Sequence, residues 1–325
     1  MPNKPGIFTI SLDFELYWGV RDKRKIQQYS NNILGVRKAI PSMLSVFKQY
    51  DIHATWASVG FLFFNNRNEA IKNFPDQRPS YKDEQLCPYR YIENSEELDP
   101  RYHFAPELIQ NIHQCKGQEI GTHTLSHYYC LEPGQTQEEF ERDIQTAMRI
   151  ANKSDVSIKS MVFPRNQWNT DYLDTLRNNG IQCFRGNETG WIYRASNQKG
   201  QSHSKRALRL LDSYFNISGY NTYSLKSCTK SIPFNFPASR FLRPYSKKLS
   251  MIEWLRIRRI KKAMTHAAKT GEIFHLWWHP HNFGTNTEEN IRILKQISEH
   301  YAYLKRKYNM HSLNMGELSE MATQQ

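Results

Sequence analysis

Short apolar runs alternate with longer amphipathic stretches along this chain, and that alternation predicts its fold class. The run Gly6-Ile7-Phe8-Thr9-Ile10 reads as a first strand, because aromatic and β-branched side chains suit a buried pleated surface. Similar runs fall at about 53–58 and 159–163, and helical periodicity predicts helices over about 33–50, 137–152 and 288–308. Three segments share one local grammar: NIHQCKGQEIGTH, TLRNNGIQCFRGN and HAAKTGEIFHLWWH each run from a helix-like stretch through glycine into an apolar strand. Gly117, Gly180 and Gly271 fit the left-handed position that ends a helix before a short loop. Repeated strand–helix units predict a parallel sheet with helices outside, as a barrel or a doubly wound sheet.

Two stretches break the grammar. Residues of about 74–104 and 188–248 are rich in Pro, Ser, Asn and aromatics and read as long loop insertions in one domain spanning 1–325. The formal net charge of +13 favours an anionic partner, whether an acidic substrate, an anionic membrane surface or a lipid-linked glycan, and no nucleic-acid motif accompanies it. The densest basic stretch, KKLSMIEWLRIRRIKKAMTHAAKTG, is predicted to open on a capping box of Ser250 and Glu253 and to bury Ile252, Ile260, Ala263 and Ala267 on one face. Five widely spaced cysteines without a C-x-x-C argue against a disulfide framework and a thiolate zinc site. Neither a signal-peptide core nor an 18-residue apolar run is present, so the expectation is a cytoplasmic protein, peripheral to the inner membrane face if its basic surface meets lipid.

Polar residues cluster at predicted strand exits: Asp13 and Glu15 after the first, His123 and His127 after QEIG, and Arg165 after KSMVF. Arg185 follows IQCF, and His279 and His281 follow IFHLWW. In a barrel of parallel strands those exits share one face, where active sites of such barrels lie. In extended chain Asp13 and Glu15 point to the same side. The spacing of His123 and His127 puts both rings on one face of a helical turn, and two imidazoles with a carboxylate form a catalytic metal set that leaves positions for water and substrate. A second carboxylate serves as general base and a histidine opposite as general acid.

In motif order and spacing over about residues 7–283, the sequence resembles the polysaccharide deacetylases, the fourth family of carbohydrate esterases. Ser11-Leu12-Asp13-Phe14-Glu15 is similar to the family's first motif, His123-Thr124-Leu125-Ser126-His127 matches its H-[ST]-x-x-H, and Trp277-Trp278-His279 is similar to its late L-x-H motif. The resemblance implies a deformed (β/α) barrel of about seven to eight parallel strands. It also implies a divalent metal, Zn2+ first with Co2+ or Ni2+ as alternatives, and hydrolysis of an acetyl group on a sugar of a polysaccharide or glycan precursor. His123 and His127 then hold the metal with Glu15, Asp13 is the base and His279 the acid. Phe14 stands where the family has its second Asp, so the division of duty between Asp13 and Glu15 stays open. Val162-Phe163-Pro164-Arg165-Asn166 only approximates the family's R-x-P-x-G, which makes Arg165, or else Arg185, the charge supporting the base. Trp168, Trp278 and His281 are candidates for sugar contact, as are Trp18, Trp191 and Trp277. Hydrolysis of another linear or cyclic amide, and a catalytically silent carbohydrate- or lipid-glycan-binding role, are the alternatives.

Overall fold

The computed structural model describes residues 4–193 and 203–324. Among the described residues nine strands form one sheet: β1 (Ile7–Phe14), β2 (Ala54–Ser58), β3 (Gln118–Thr122), β4 (Ser160–Val162), β5 (Cys183–Arg185), β6 (Phe234–Asn235), β7 (Arg240–Phe241), β8 (Ile273–Trp278) and β9 (His311–Ser312). Their order is β6-β5-β4-β3-β2-β1-β8-β7, with β9 on β1, and all ladders are parallel. The two edges of this curled sheet, β6 and β7, belong to one extended segment. Phe236 N and Ala238 N donate to Phe184 O and Gly186 O at 2.9 Å, and then Ser239 N and Leu242 N donate to His275 O and Trp277 O at 2.8 Å. One run of chain thus bridges the first edge to the last and closes a deformed (β/α) barrel.

Side-chain parity divides that barrel into two layers. Phe8, Ile10, Leu12 and Phe14 of β1 are buried in the main core between sheet and helices. The partners of Leu12 across the ladders, Trp56 and Trp278, both pack edge-on against Phe47 of the helix Val36–Tyr50. The alternate residues Thr9, Ser11 and Asp13 are buried and polar. A smaller apolar cluster, including Ile7, Cys183, Phe236, Met315 and Leu318, joins the strand starts to the helix Met315–Thr323. This end is packed; the opposite end carries the polar groups.

Gly117, Gly180 and Gly271 take left-handed φ of 80°, 81° and 71°, as helix-to-strand junctions require. The predicted helices over 137–152 and 288–308 are Gln137–Asn152 and Thr287–Tyr308. The helix expected over 33–50 is instead two, Ile26–Leu34 and Val36–Tyr50, divided at Gly35, where the backbone of Gly284 approaches too closely to admit a Cβ. The stretch 74–104 is not bare loop but holds the short helices Pro88–Asn94 and Pro100–His103, and Trp18 Nε1 donates to His103 O at 2.7 Å to fix it against the loop after β1. The stretch 188–248 carries the helix His203–Tyr214 and the barrel-closing segment; its residues 194–202 and the Trp191 side chain lie outside the described residues. No capping box forms at Ser250: residues Lys247–Ile252 are a 3-10 turn, the helix Glu253–Thr270 begins without a side-chain cap, and Glu253 pairs with Arg256 instead. Ile260, Ala263 and Ala267 are buried as expected, whereas Ile252 is exposed. No described helix is long and apolar enough to cross a membrane.

Candidate active site

Because every strand runs the same way, the residues at their C-terminal ends meet at one mouth. Glu15, one residue past β1, lies at its centre, with the Nε2 atoms of His123, His127 and His279 at 3.3, 3.3 and 3.5 Å from its Oε1. Asp13 lies one step deeper on the same side, its Oδ2 3.7 Å from His279 Nε2. The two acids, His123 and His127 are buried, and His279 is partly open to solvent.

The histidine pair does not sit on a helical turn. Residues 123–129 are a loop in which Thr124 and His127 adopt φ of 64° and 60°. Such strained positions persist only when neighbours over-determine them. Asp143, from the helix Gln137–Asn152, does so by accepting from Leu125 N at 2.7 Å, from Tyr89 Oη at 3.0 Å and from Ser126 Oγ. The Thr124 hydroxyl accepts from Tyr128 N at 2.7 Å. The i, i+4 spacing therefore delivers both rings to one site, 5.1 Å apart, by a route other than the helix it suggests.

Two further contacts fix the rings. His123 Nδ1 donates to Val162 O at 2.7 Å, and His127 Nδ1 lies 3.1 Å from Tyr129 Oη. The Nε2 atom of His123 is thereby left buried, without a hydrogen bond, facing a carboxylate oxygen. Burial, only partly opposed by Glu15, pushes His127 down to about 4, so it is neutral near pH 7. His127 Nε2 lies 3.3 Å from the same Glu15 oxygen, so two imidazole nitrogens and a carboxylate oxygen converge on one point. Two donors on a tetrahedral ion at ordinary zinc–ligand lengths stand about 3.3–3.5 Å apart. The ligand atoms of Glu15, His123 and His127 thus fit a divalent metal, and lie within 4.8 Å of one another.

Asp13 differs from Glu15 in its partners. Burial would raise its carboxyl, but the Arg185 guanidinium, with His123 and His279, outweighs burial and holds it below the usual range. The pair is bidentate, Nη1–Oδ1 2.7 Å and Nη2–Oδ2 2.9 Å, and Arg185 also donates to Ser11 Oγ and to Asn166 Oδ1, each at 2.9 Å. Ser11 Oγ is in turn 2.8 Å from His275 Nε2, whose Nδ1 donates to Phe236 O at 3.0 Å. Glu15 has no arginine; burial raises it, but His279, His123 and His127 together bring it well below the usual range.

Three expected site residues are placed elsewhere. Arg165 does not reach Asp13: its backbone turns at φ 56°, and its guanidinium pairs with Asp22 at 2.5 Å above the Tyr129 ring, leaving Arg185 as the partner of Asp13. Trp278 is fully buried in the outer layer, stacked on Phe283, because the strand alternation that turns His279 inward turns Trp278 outward. Trp277 takes the inward place, under the Arg185 guanidinium at 4.2 Å and against Phe241 at 4.6 Å. His281 is buried rather than open to a sugar, its ring stacked on His279 at 4.9 Å; burial pushes it down to about 3 and keeps it neutral. Trp168 packs on Phe184 and lines a cavity of about 510 Å³ with Asn187, Glu188 and Asn235. Trp18 is buried against Phe61.

Sequence reasoning missed Ser11 and His275, which the period of two would have grouped with Asp13 and His279. It also missed Gly19, where any Cβ would collide with the Glu15 carboxylate.

Residues 31–184 match the polysaccharide deacetylase family model, a stretch that contains the His123–His127 loop and lies between Glu15 and Arg185. No curated protein sequence matches the chain. Among solved structures, a Mycobacterium smegmatis protein assigned as a polysaccharide deacetylase superposes with a TM-score of 0.58 at 12% identity, over 100% of this chain and 95% of that one. A Pseudomonas aeruginosa PAO1 protein of the same assignment gives 0.56 at 8% identity over 98% and 91%, and Puue allantoinase gives 0.52 at 11% over 98% and 91%. At these identities the likeness is one of fold. The family model thus covers residues 31–184, just under half of the chain, and the solved structures share its curled parallel barrel.

Proposed function

We propose that this protein is a metal-dependent hydrolase that removes an acetyl group, in the first instance N-acetyl, from a sugar in a polysaccharide or glycan precursor. The observation that carries the reading is the meeting at one barrel mouth of a Glu15–His123–His127 donor set with an arginine-held Asp13, both facing His279. When bound, a divalent ion, Zn2+ in this reading, supplies a Lewis acid for the acetyl carbonyl and lowers the pKa of water. Asp13, kept ionised and fixed in direction by Arg185, accepts the proton of the attacking water. His279, the partly solvent-open member of the cluster, protonates the departing nitrogen. His281, neutral behind it, holds the imidazole in place without competing for the proton.

A cytoplasmic setting remains part of this reading, and so does contact with an anionic membrane surface or lipid-linked glycan. The basic outer face of the helix Glu253–Thr270, with Met251 and Trp254 exposed at its start, supports that contact. The test is acetate release by zinc-loaded protein from a panel of N- and O-acetylated saccharides. Asp13→Asn is expected to lower kcat by about 100-fold or more while zinc binding stays within a few-fold. Full turnover in that variant would remove Asp13 from the base role, and no acetate from any saccharide would remove the activity.

A further inference from the structure

Outward from Asp13 the mouth carries a ladder of cations and rings. Arg185 lies over Trp277 at 4.2 Å, Trp277 meets Phe241 at 4.6 Å, and Arg243 stands 5.9 Å from the centre of the Phe241 ring. His279 stands edge-on to the same Phe241 at 5.9 Å, so two ring contacts connect the proposed acid to the Arg243 guanidinium. Trp277, Phe241, His279 and Arg243 are all partly exposed, and form a continuous accessible rim.

Arg243 differs from the arginines around it. Arg240 and Arg259 pair with Asp212, and Arg256 pairs with Glu253. Arg209 donates to Ile192 O at 2.7 Å. Five guanidiniums therefore share two carboxylates, and among the described residues no carboxylate lies within ion-pair distance of Arg243. What faces it is Tyr193, Tyr214 and the like charges of Arg256 and Arg209; burial comes first in pushing it below the usual arginine range. A partly buried guanidinium kept among like charges, two ring contacts from His279, thus has no carboxylate partner among the described residues.

We infer that Arg243 forms an anion subsite, and that the substrate carries a phosphate or carboxylate group beside the acetylated sugar, which lies along Trp277 and Phe241. The inference rests on the deacetylase reading and narrows its substrate class to anionic glycans. A planar fork of donors suits either oxyanion, and a charge-assisted contact of this kind gives about a 10- to 100-fold preference.

The experiment compares kcat/KM of the zinc-loaded protein for three probes: a neutral N-acetylhexosamine disaccharide, an N-acetylhexosamine 1-phosphate, and an N-acetylhexosamine–uronate disaccharide. At least one anionic probe is expected to be preferred at low salt, which identifies phosphate or carboxylate, and the preference is expected to shrink at 0.5 M salt. Arg243→Gln should lower kcat/KM for the preferred probe about tenfold or more and for the neutral probe less than about twofold, with Arg243→Lys in between. Equal losses on all three probes, or an undiminished preference in Arg243→Gln, would overturn the subsite. If no probe releases acetate, the deacetylase reading fails on its own, and calorimetry of the hexosamine phosphate and the uronate disaccharide still reads Arg243: Arg243→Gln must weaken binding of one of them about tenfold, and unchanged or undetectable binding to both proteins sinks the subsite.

Discussion

Two pairs of buried carboxylates in this barrel carry opposite electrostatics. Asp13 and Glu15, at the mouth, are brought below the usual range because Arg185 and three histidines outweigh burial. Glu119, at the packed end, and Asp143, behind the histidine loop, are pushed upward by burial that only hydroxyl, phenol and amide donors oppose. Glu119 accepts from Thr55 Oγ1 at 2.6 Å and Gly316 N at 3.0 Å; Asp143 accepts from Leu125 N, Ser126 and Tyr89. Burial is the same in kind at all four. Partner type decides which acids are held below the usual range and face the mouth, and which are raised and serve as anchors.

The largest effect is expected from moving a mouth carboxylate into the other class. Arg185→Gln leaves Asp13 buried without its cation, so its carboxyl should rise and the acid limb of the kcat/KM profile should shift to higher pH. Turnover at pH 7 is expected to fall about 100-fold or more, and Arg185→Lys should recover little, since it cannot reproduce the bidentate fork. Arg165→Gln, by contrast, should leave the acid limb where it is, because its partner is Asp22. A shift of equal size in the two glutamine variants would dissolve the distinction between the arginines.

Gly19→Ala tests the other mouth carboxylate without touching its charge. The added methyl meets the Glu15 carboxylate itself, which must turn away from His123 and His127. Zinc affinity by calorimetry is expected to fall about 10- to 100-fold, the range found when a ligand's support is removed, with the far-UV CD spectrum unchanged. Wild-type affinity would show that Glu15 is not in the ligand set.

Strand–helix alternation made the parallel sheet legible, the family resemblance chose the barrel over a doubly wound sheet, and the three glycine junctions marked the approaches to β3, β5 and β8. The closing segment was hidden because β6 and β7 are two residues each, set among Pro233 and Pro237 in a stretch without periodicity. At the site, the motifs led to Asp13, Glu15, His123, His127 and His279 as candidates, and these meet in space. The choice between Trp277 and Trp278 was legible too, since the period of two that grouped Asp13 with Glu15 also groups Trp277 with His279. The choice between Arg165 and Arg185 was not: both follow predicted strands, and only the left-handed turn at Arg165 sends one of them away. Nor could spacing reveal that His123 and His127 meet through a strained loop whose anchor, Asp143, comes from the following helix.

That anchor gives the smallest expected effect. With Asp143 raised to about 6 from an ordinary value near 3.8, the folded state holds a proton that the unfolded chain has lost between those two pH values. Its contribution to stability is therefore full below about pH 4, declines as pH rises toward 6, and is flat above. The depressed carboxyls Asp13 and Glu15 act in the reverse sense, their contribution being lost as pH falls through the acid range. The difference between wild type and Asp143→Asn isolates the single group. In urea titrations of metal-free protein, the wild-type midpoint should fall relative to the variant's between about pH 4 and pH 6 and run parallel to it above. Asparagine keeps an acceptor for Leu125 N, and its amide faces the Ser126 and Tyr89 hydroxyls, which turn to accept. The histidine loop should accordingly hold, with zinc affinity lowered less than about tenfold. A larger loss of zinc than Gly19→Ala produces would make Asp143 part of the mouth's electrostatics rather than an anchor behind it, and would erase the division between the two pairs of acids.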